Sequence, residues 1–65
     1  MRRDISPGDL VVWQIDIDVG ELTETGVVME IVDDDNGNPG AKVAWSKGVY
    51  WSPIKLIRNV RDYYV

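Results

Sequence analysis

The chain has 65 residues, seven Lys and Arg against eleven Asp and Glu for a formal net charge of −4, and neither Cys nor His. That length holds one domain whose core supplies only about 3–5 kcal/mol net, and the missing residues exclude disulfides, thiolate zinc sites and the commonest catalytic base. The negative balance works against nucleic-acid phosphate over the surface as a whole, and no apolar run approaches the roughly 20 residues that span a bilayer.

Residues 1–65 read as one domain with its core over about residues 6–60 and a short arm at each end. Met1-Arg2-Arg3 is followed by Asp4 and not by an apolar stretch, so no signal peptide is expected. Ser6-Pro7-Gly8-Asp9 is a turn cluster in which proline presets one dihedral and glycine relaxes another, and a strand is predicted from about Leu10. Val11, Trp13, Ile15, Ile17 and Val19 then alternate with Gln14, Asp16 and Asp18, the period of a half-buried strand.

After Gly20, the polar segment Glu21-Leu22-Thr23-Glu24-Thr25 leads to a second run opened by Gly26, in which Val27, Met29 and Ile31 are expected on the inner face and Glu30 in water. Asp33 to Gly40 is made of turn formers and charge and includes the Asn36-Gly37 pair, so it reads as a hairpin tip. In the third strand Ala41, Val43 and Trp45 point inward against Lys42 and Ser46. Ser46-Lys47-Gly48 then turns into Val49-Tyr50-Trp51. Pro53 cannot donate to a ladder, so residues 52–56 are predicted as a 3₁₀ turn that sets Ile54 or Leu56 against the barrel end, before a short last strand from Ile57 to Val60. No capped stripe of 3.6-residue period appears, and no helix beyond one turn is expected. The pattern is all-β: a small five-stranded SH3-like barrel, closed, with one 3₁₀ turn before its last strand.

Pro7-Gly8-Asp9-Leu10-Val11, the glycine before the Val-Val pair at Gly26, Lys42 to Gly48, and Trp51-Ser52-Pro53-Ile54-Lys55-Leu56 together resemble the small SH3-like proteins encoded by tailed bacteriophages. The resemblance covers roughly Ser6 to Val60; KOW, Tudor and other SH3-like domains share parts of it. It implies a non-enzymatic phage accessory protein, a virion component docking on capsid or tail proteins in many copies, located in the virion or the host cytoplasm. No catalytic residues come with it. The chain departs from the eukaryotic SH3 pattern where Leu10-Val11-Val12-Trp13 stands, so a Pro-rich peptide groove is not carried over.

All six aromatics are Trp or Tyr, rings with a polar handle that suits interfaces. Trp13 and Trp45 share the phase of the inward residues. Tyr50 and Trp51 occupy opposite faces of one strand, so at least one looks outward, and an interaction surface is placed there, with Trp13 as a further candidate. Asp16, Asp18 and Glu21, with Glu24, form an acidic loop that either steers a basic partner or is simply solvated. Val60 to Val65 is apolar and aromatic for a chain end; Tyr63 and Tyr64 either complete the last strand or dock on a neighbour. The oxygen-rich run from Asp33 to Asn38 lacks the spacing and downstream Glu of a calcium loop, and no metal, cofactor or catalysis is expected. The alternative to a virion component is a free regulatory module for a protein or single-stranded nucleic acid, the latter using Arg2, Arg3, Lys42, Lys47, Lys55, Arg58 and Arg61 beside Tyr50 and Trp51.

Overall fold

The turn at Ser6 to Asp9 is tied down before the first strand begins. Gly8, at φ 91°, donates its N–H to the Val28 carbonyl at 2.8 Å, and Val28 donates to the Asp9 carbonyl at 2.9 Å. The Asp9 carboxylate accepts from the Ser6 N–H at 2.9 Å and from Asn59 Nδ2 at 3.0 Å, so one acidic side chain closes the turn and fastens it to the far end of the chain. The computed structural model describes residues 5–63, the side chain of Tyr63 excepted.

Five strands follow: β1 (Leu10–Trp13), β2 (Gly26–Ile31), β3 (Gly40–Trp45), β4 (Gly48–Pro53) and β5 (Ile57–Asn59). They form one antiparallel sheet in the order β4-β3-β2-β1-β5, with a 3₁₀ turn at Ile54–Leu56 just before β5. The all-β class, the strand number and the position of the 3₁₀ turn agree with the sequence. Closure does not: β4 and β5 are the two ends of the sheet and do not pair.

Val11, Val28, Ala41, Val43, Trp45 and Ile57 make the core, with Ile5, Trp13 and Ile54 packed against it. Ile54 is therefore the residue the 3₁₀ turn lays on the core, while Leu56 is exposed. β3 has its expected phase, with Ala41, Val43 and Trp45 buried and Lys42 outside.

Three expectations are corrected. The alternation after Trp13 is not strand: Gln14–Val19 is a six-residue helix, α1, closed by Gly20 at φ 77°, whose N–H reaches the carbonyls of Asp16 and Ile17. This left-handed closure is one that glycine makes at little cost, and Gln14 Nε2 to Asp18 Oδ1 at 2.9 Å adds an i,i+4 contact. Ile15 and Val19 are consequently exposed. The phase of β2 is also reversed: Gly26 and Val28 are buried, while Val27, Met29 and Ile31 are exposed. Gly26 sits where an added Cβ would overlap the Val43 methyl and the six-membered ring of Trp45, so the backbone itself closes the core there. A bulge between Val28 and Glu30 then lets Glu30 face Lys42, their charged groups 3.7 Å apart. Third, Val60–Tyr63 is a helical turn, α2, beside β1 and β5, and does not extend the last strand.

The Asp33 to Gly40 segment is the expected hairpin tip. The Asp34 carboxylate accepts from the N–H groups of Asn36 and Asn38 and from Asn38 Nδ2, at 2.8, 2.8 and 2.9 Å. Only Gly37 of the Asn-Gly pair takes a positive φ, 81°.

Candidate binding groove

Gly26 brings β2 close enough to β3 for Trp45 to lie over it, and Trp13, at the end of β1, stacks on Trp45 with centroids 4.3 Å apart and planes inclined by 12°. Both indoles are fixed at their polar edges. Trp45 Nε1 donates to Ser52 Oγ at 3.0 Å inside the protein, and Trp13 Nε1 donates to Glu24 Oε2 at 3.1 Å near the surface. The other Glu24 oxygen accepts from the Ser46 hydroxyl at 3.0 Å and from its N–H at 3.4 Å. Glu24 thus clamps the loop after α1 to the β3–β4 turn. The Trp13 N–H above all, then Ser46, holds its carboxyl below the ordinary value of 4.5, which keeps it ionised at neutral pH.

These groups, with Lys47 and Tyr50 to Ser52, line an open groove of about 410 Å³. Tyr50 stands on the core face of β4, opposite Val43, yet 57% exposed. Trp51 takes the other face: its indole lies across Gly40, where no Cβ would fit, and Nε1 donates to the Val32 carbonyl at 2.7 Å. The sequence expectation that these neighbours divide between two faces is met.

The acidic candidates separate as well. Asp16 is only 5% exposed, and one of its carboxylate oxygens accepts from the Thr23 N–H and hydroxyl at 3.0 and 2.8 Å, organising residues 20–25 from within. Asp18 accepts from Gln14, whose other amide atom accepts from Arg58 Nη1 at 3.0 Å. Glu21 is exposed. Glu24, which was read only as part of the loop charge, is the acid that lines the groove; its spacing from Trp13 carries no signal of the hydrogen bond, because the intervening helix is invisible to the alternating pattern. Tyr64, Arg2 and Arg3 lie outside the described residues, as does the side chain of Tyr63. Of the remaining cations named for nucleic acid, Lys42 pairs with Glu30 and Arg58 with Gln14.

Among the described residues no group of three or more Asp and Glu is gathered as a metal site, and no helix is long and apolar enough to cross a membrane. Fold and groove together define a small all-β domain with an aromatic-walled, acid-rimmed cleft. Comparisons with protein-family models, curated proteins and solved structures returned no match to this chain.

Proposed function

We propose that this chain is a non-enzymatic protein-binding module, and that the groove between the loop after α1 and the β3–β4 turn receives its partner. One observation carries the reading: Tyr50 is left 57% exposed beside a Trp13–Trp45 stack already held in place by Glu24 and Ser52. A rigid aromatic floor with satisfied polar edges loses little entropy on contact, and such rings are the residues that anchor interfaces. The motifs shared with phage SH3-like proteins support a narrower form, an accessory protein docking on capsid or tail. The free regulatory module is the second reading, favoured by the small size of the cleft.

Mass spectrometry of purified particles of the source phage tests the narrower form. The chain should be present in a constant ratio to a capsid or tail protein, and Tyr50→Ala should lower that ratio at least tenfold. Absence from the particle removes the virion assignment and leaves the free module. Binding of single-stranded DNA that fades with rising salt would instead favour the nucleic-acid version.

A further inference from the structure

The pairing of β3 with β4 determines which backbone groups of the end strand face outward. Trp45 and Gly48 flank a two-residue turn and pair directly, so they exchange hydrogen bonds, and bonded and unbonded pairs alternate from there. Val43 with Tyr50 and Ala41 with Ser52 are bonded; Ala44 with Val49, Lys42 with Trp51 and Gly40 with Pro53 are not. Two distances agree with this parity: Ile54 donates to the Pro39 carbonyl at 3.1 Å, one step beyond the unbonded Gly40–Pro53 pair, and the Gly40 carbonyl is turned to β2, where Val32 donates to it at 3.0 Å. The N–H and C=O of Val49 and of Trp51 therefore point away from the sheet. Pro53 occupies the third such position, where a missing N–H costs no ladder bond. Among the described residues, none bonds to these outward groups of Val49 and Trp51, and β4 ends the sheet.

We infer that β4 receives an extended segment of a partner protein as an added strand, bonded to the backbone of Val49 and Trp51, with a cationic side chain facing Tyr50 over the groove. The inference rests on the groove reading and specifies how the partner is held. On an added strand, the residue opposite Tyr50 points to the same face as Tyr50, towards the Trp13–Trp45 floor and the ionised Glu24. An Arg or Lys there meets an aromatic face and a carboxylate, and the chain's net charge of −4 favours its approach against Lys47, the one cation among the described residues that line the groove. The partner's residues opposite Val49 and Trp51 fall on the outer face, where apolar or β-branched side chains fit. A second copy is a poorer occupant. A two-fold axis at Tyr50 would pair Val49 with Trp51 of the other copy, but an edge limited by Pro53 and the Ser46-Lys47 turn is short of the about 800 Å² per partner of a stable interface, and it would join two chains of net charge −4.

The probe is a capped synthetic peptide, Val-Thr-Val-Arg-Val-Thr-Val, with a Glu-for-Arg version and a version N-methylated at the two residues flanking Arg, followed by amide NMR shifts and hydrogen exchange. The Arg peptide should shift and protect the Val49 and Trp51 amides, the Glu peptide should bind at least tenfold more weakly, and the N-methylated one should lose binding. On the protein, Val49→Pro should abolish binding while the circular dichroism is retained; if that variant does not fold, the N-methylated peptide decides. Groove binding that survives N-methylation overturns the added strand and leaves the groove reading standing. Equal binding of the Glu and Arg peptides overturns the cationic preference, and no shift with any peptide overturns the inference as a whole. Protection of Val49 and Trp51 that rises with protein concentration alone would assign the edge to a second copy.

Discussion

Trp13 lies flat on Trp45, with ring centroids 4.3 Å apart, so the end of β1 and the end of β3 are joined by an aromatic stack. Offset or stacked aromatic pairs contribute about 0.5–1.5 kcal/mol beyond area burial. Trp13→Leu keeps an apolar side chain but removes the stack and the donor to Glu24. It should lower unfolding stability by at least the stacking contribution, measured by urea denaturation, and should release Ser46 and the loop after α1, read as faster amide exchange at Ser46.

Ser52 is fully buried, and its hydroxyl is the acceptor for the Trp45 indole N–H. Ser52→Ala removes almost no volume yet leaves that donor without a partner in the core. A buried unsatisfied group costs about 1–3 kcal/mol. The urea midpoint should fall while the slope stays constant, because the same surface is exposed on unfolding.

Gly26→Ala tests the close approach of β2 to β3. The added methyl meets Val43 and Trp45 in the core, and overpacking of this kind costs about 1–3 kcal/mol. Against a total of about 3–5 kcal/mol for a domain of this size, the variant should lose a large share of its stability and melt well below the parent, whereas Gly37→Ala, at an open turn, should be weakened only by its positive φ. Circular dichroism melts of the two separate a packing requirement from a backbone one.

Glu24 and Asp34 both have carboxyls held below their ordinary values of 4.5 and 3.8, Glu24 chiefly by the Trp13 N–H and Asp34 chiefly by the Asn38 side chain. A depressed folded-state value means that the stabilisation is complete above the unfolded value and is lost as pH falls through the folded one. The melting temperature should therefore be insensitive to these groups above about pH 4.5 and decline below it. Glu24→Gln should flatten that acid decline, and an NMR titration of Glu24 should show its carboxyl titrating below 4.5.

Turns and hairpins were legible because their causes are local. Pro7-Gly8, Asp34 with Gly37 and the turn at Ser46-Lys47 each act within a few residues, and each lies where the sequence places it; the end of β4 does not, since the strand runs on through Ser52 and Pro53 and the 3₁₀ turn starts only at Ile54. The phase of β2 was not legible, since Val27 and Val28 are both β-branched and either fits a core. The choice falls on Val28 because the neighbouring inward position must be Gly26, and nothing in the run itself announces the indole of Trp45. Likewise, Ile15, Ile17 and Val19 alternate as a strand would, but the buried partner of Asp16 is Thr23, seven residues on. The groove was half visible: Trp13, Tyr50 and Trp51 were singled out, Glu24 only as charge, and the division of Trp51 to the outer face needed Gly40.

By itself the sequence determined that this is a small all-β chain without thiol or imidazole groups, whose aromatic side chains are all Trp or Tyr. Those conclusions follow from composition, length and short-range turn chemistry, which do not depend on how distant strands meet. The tertiary structure alone decided that the sheet stays open at β4, that Asp16 turns inward while Glu24 borders the groove, and that Trp51 lies across Gly40 while Tyr50 stays exposed beside the groove. Each of these depends on which distant atoms occupy the same space, and a period of two along one strand cannot specify its neighbour's register.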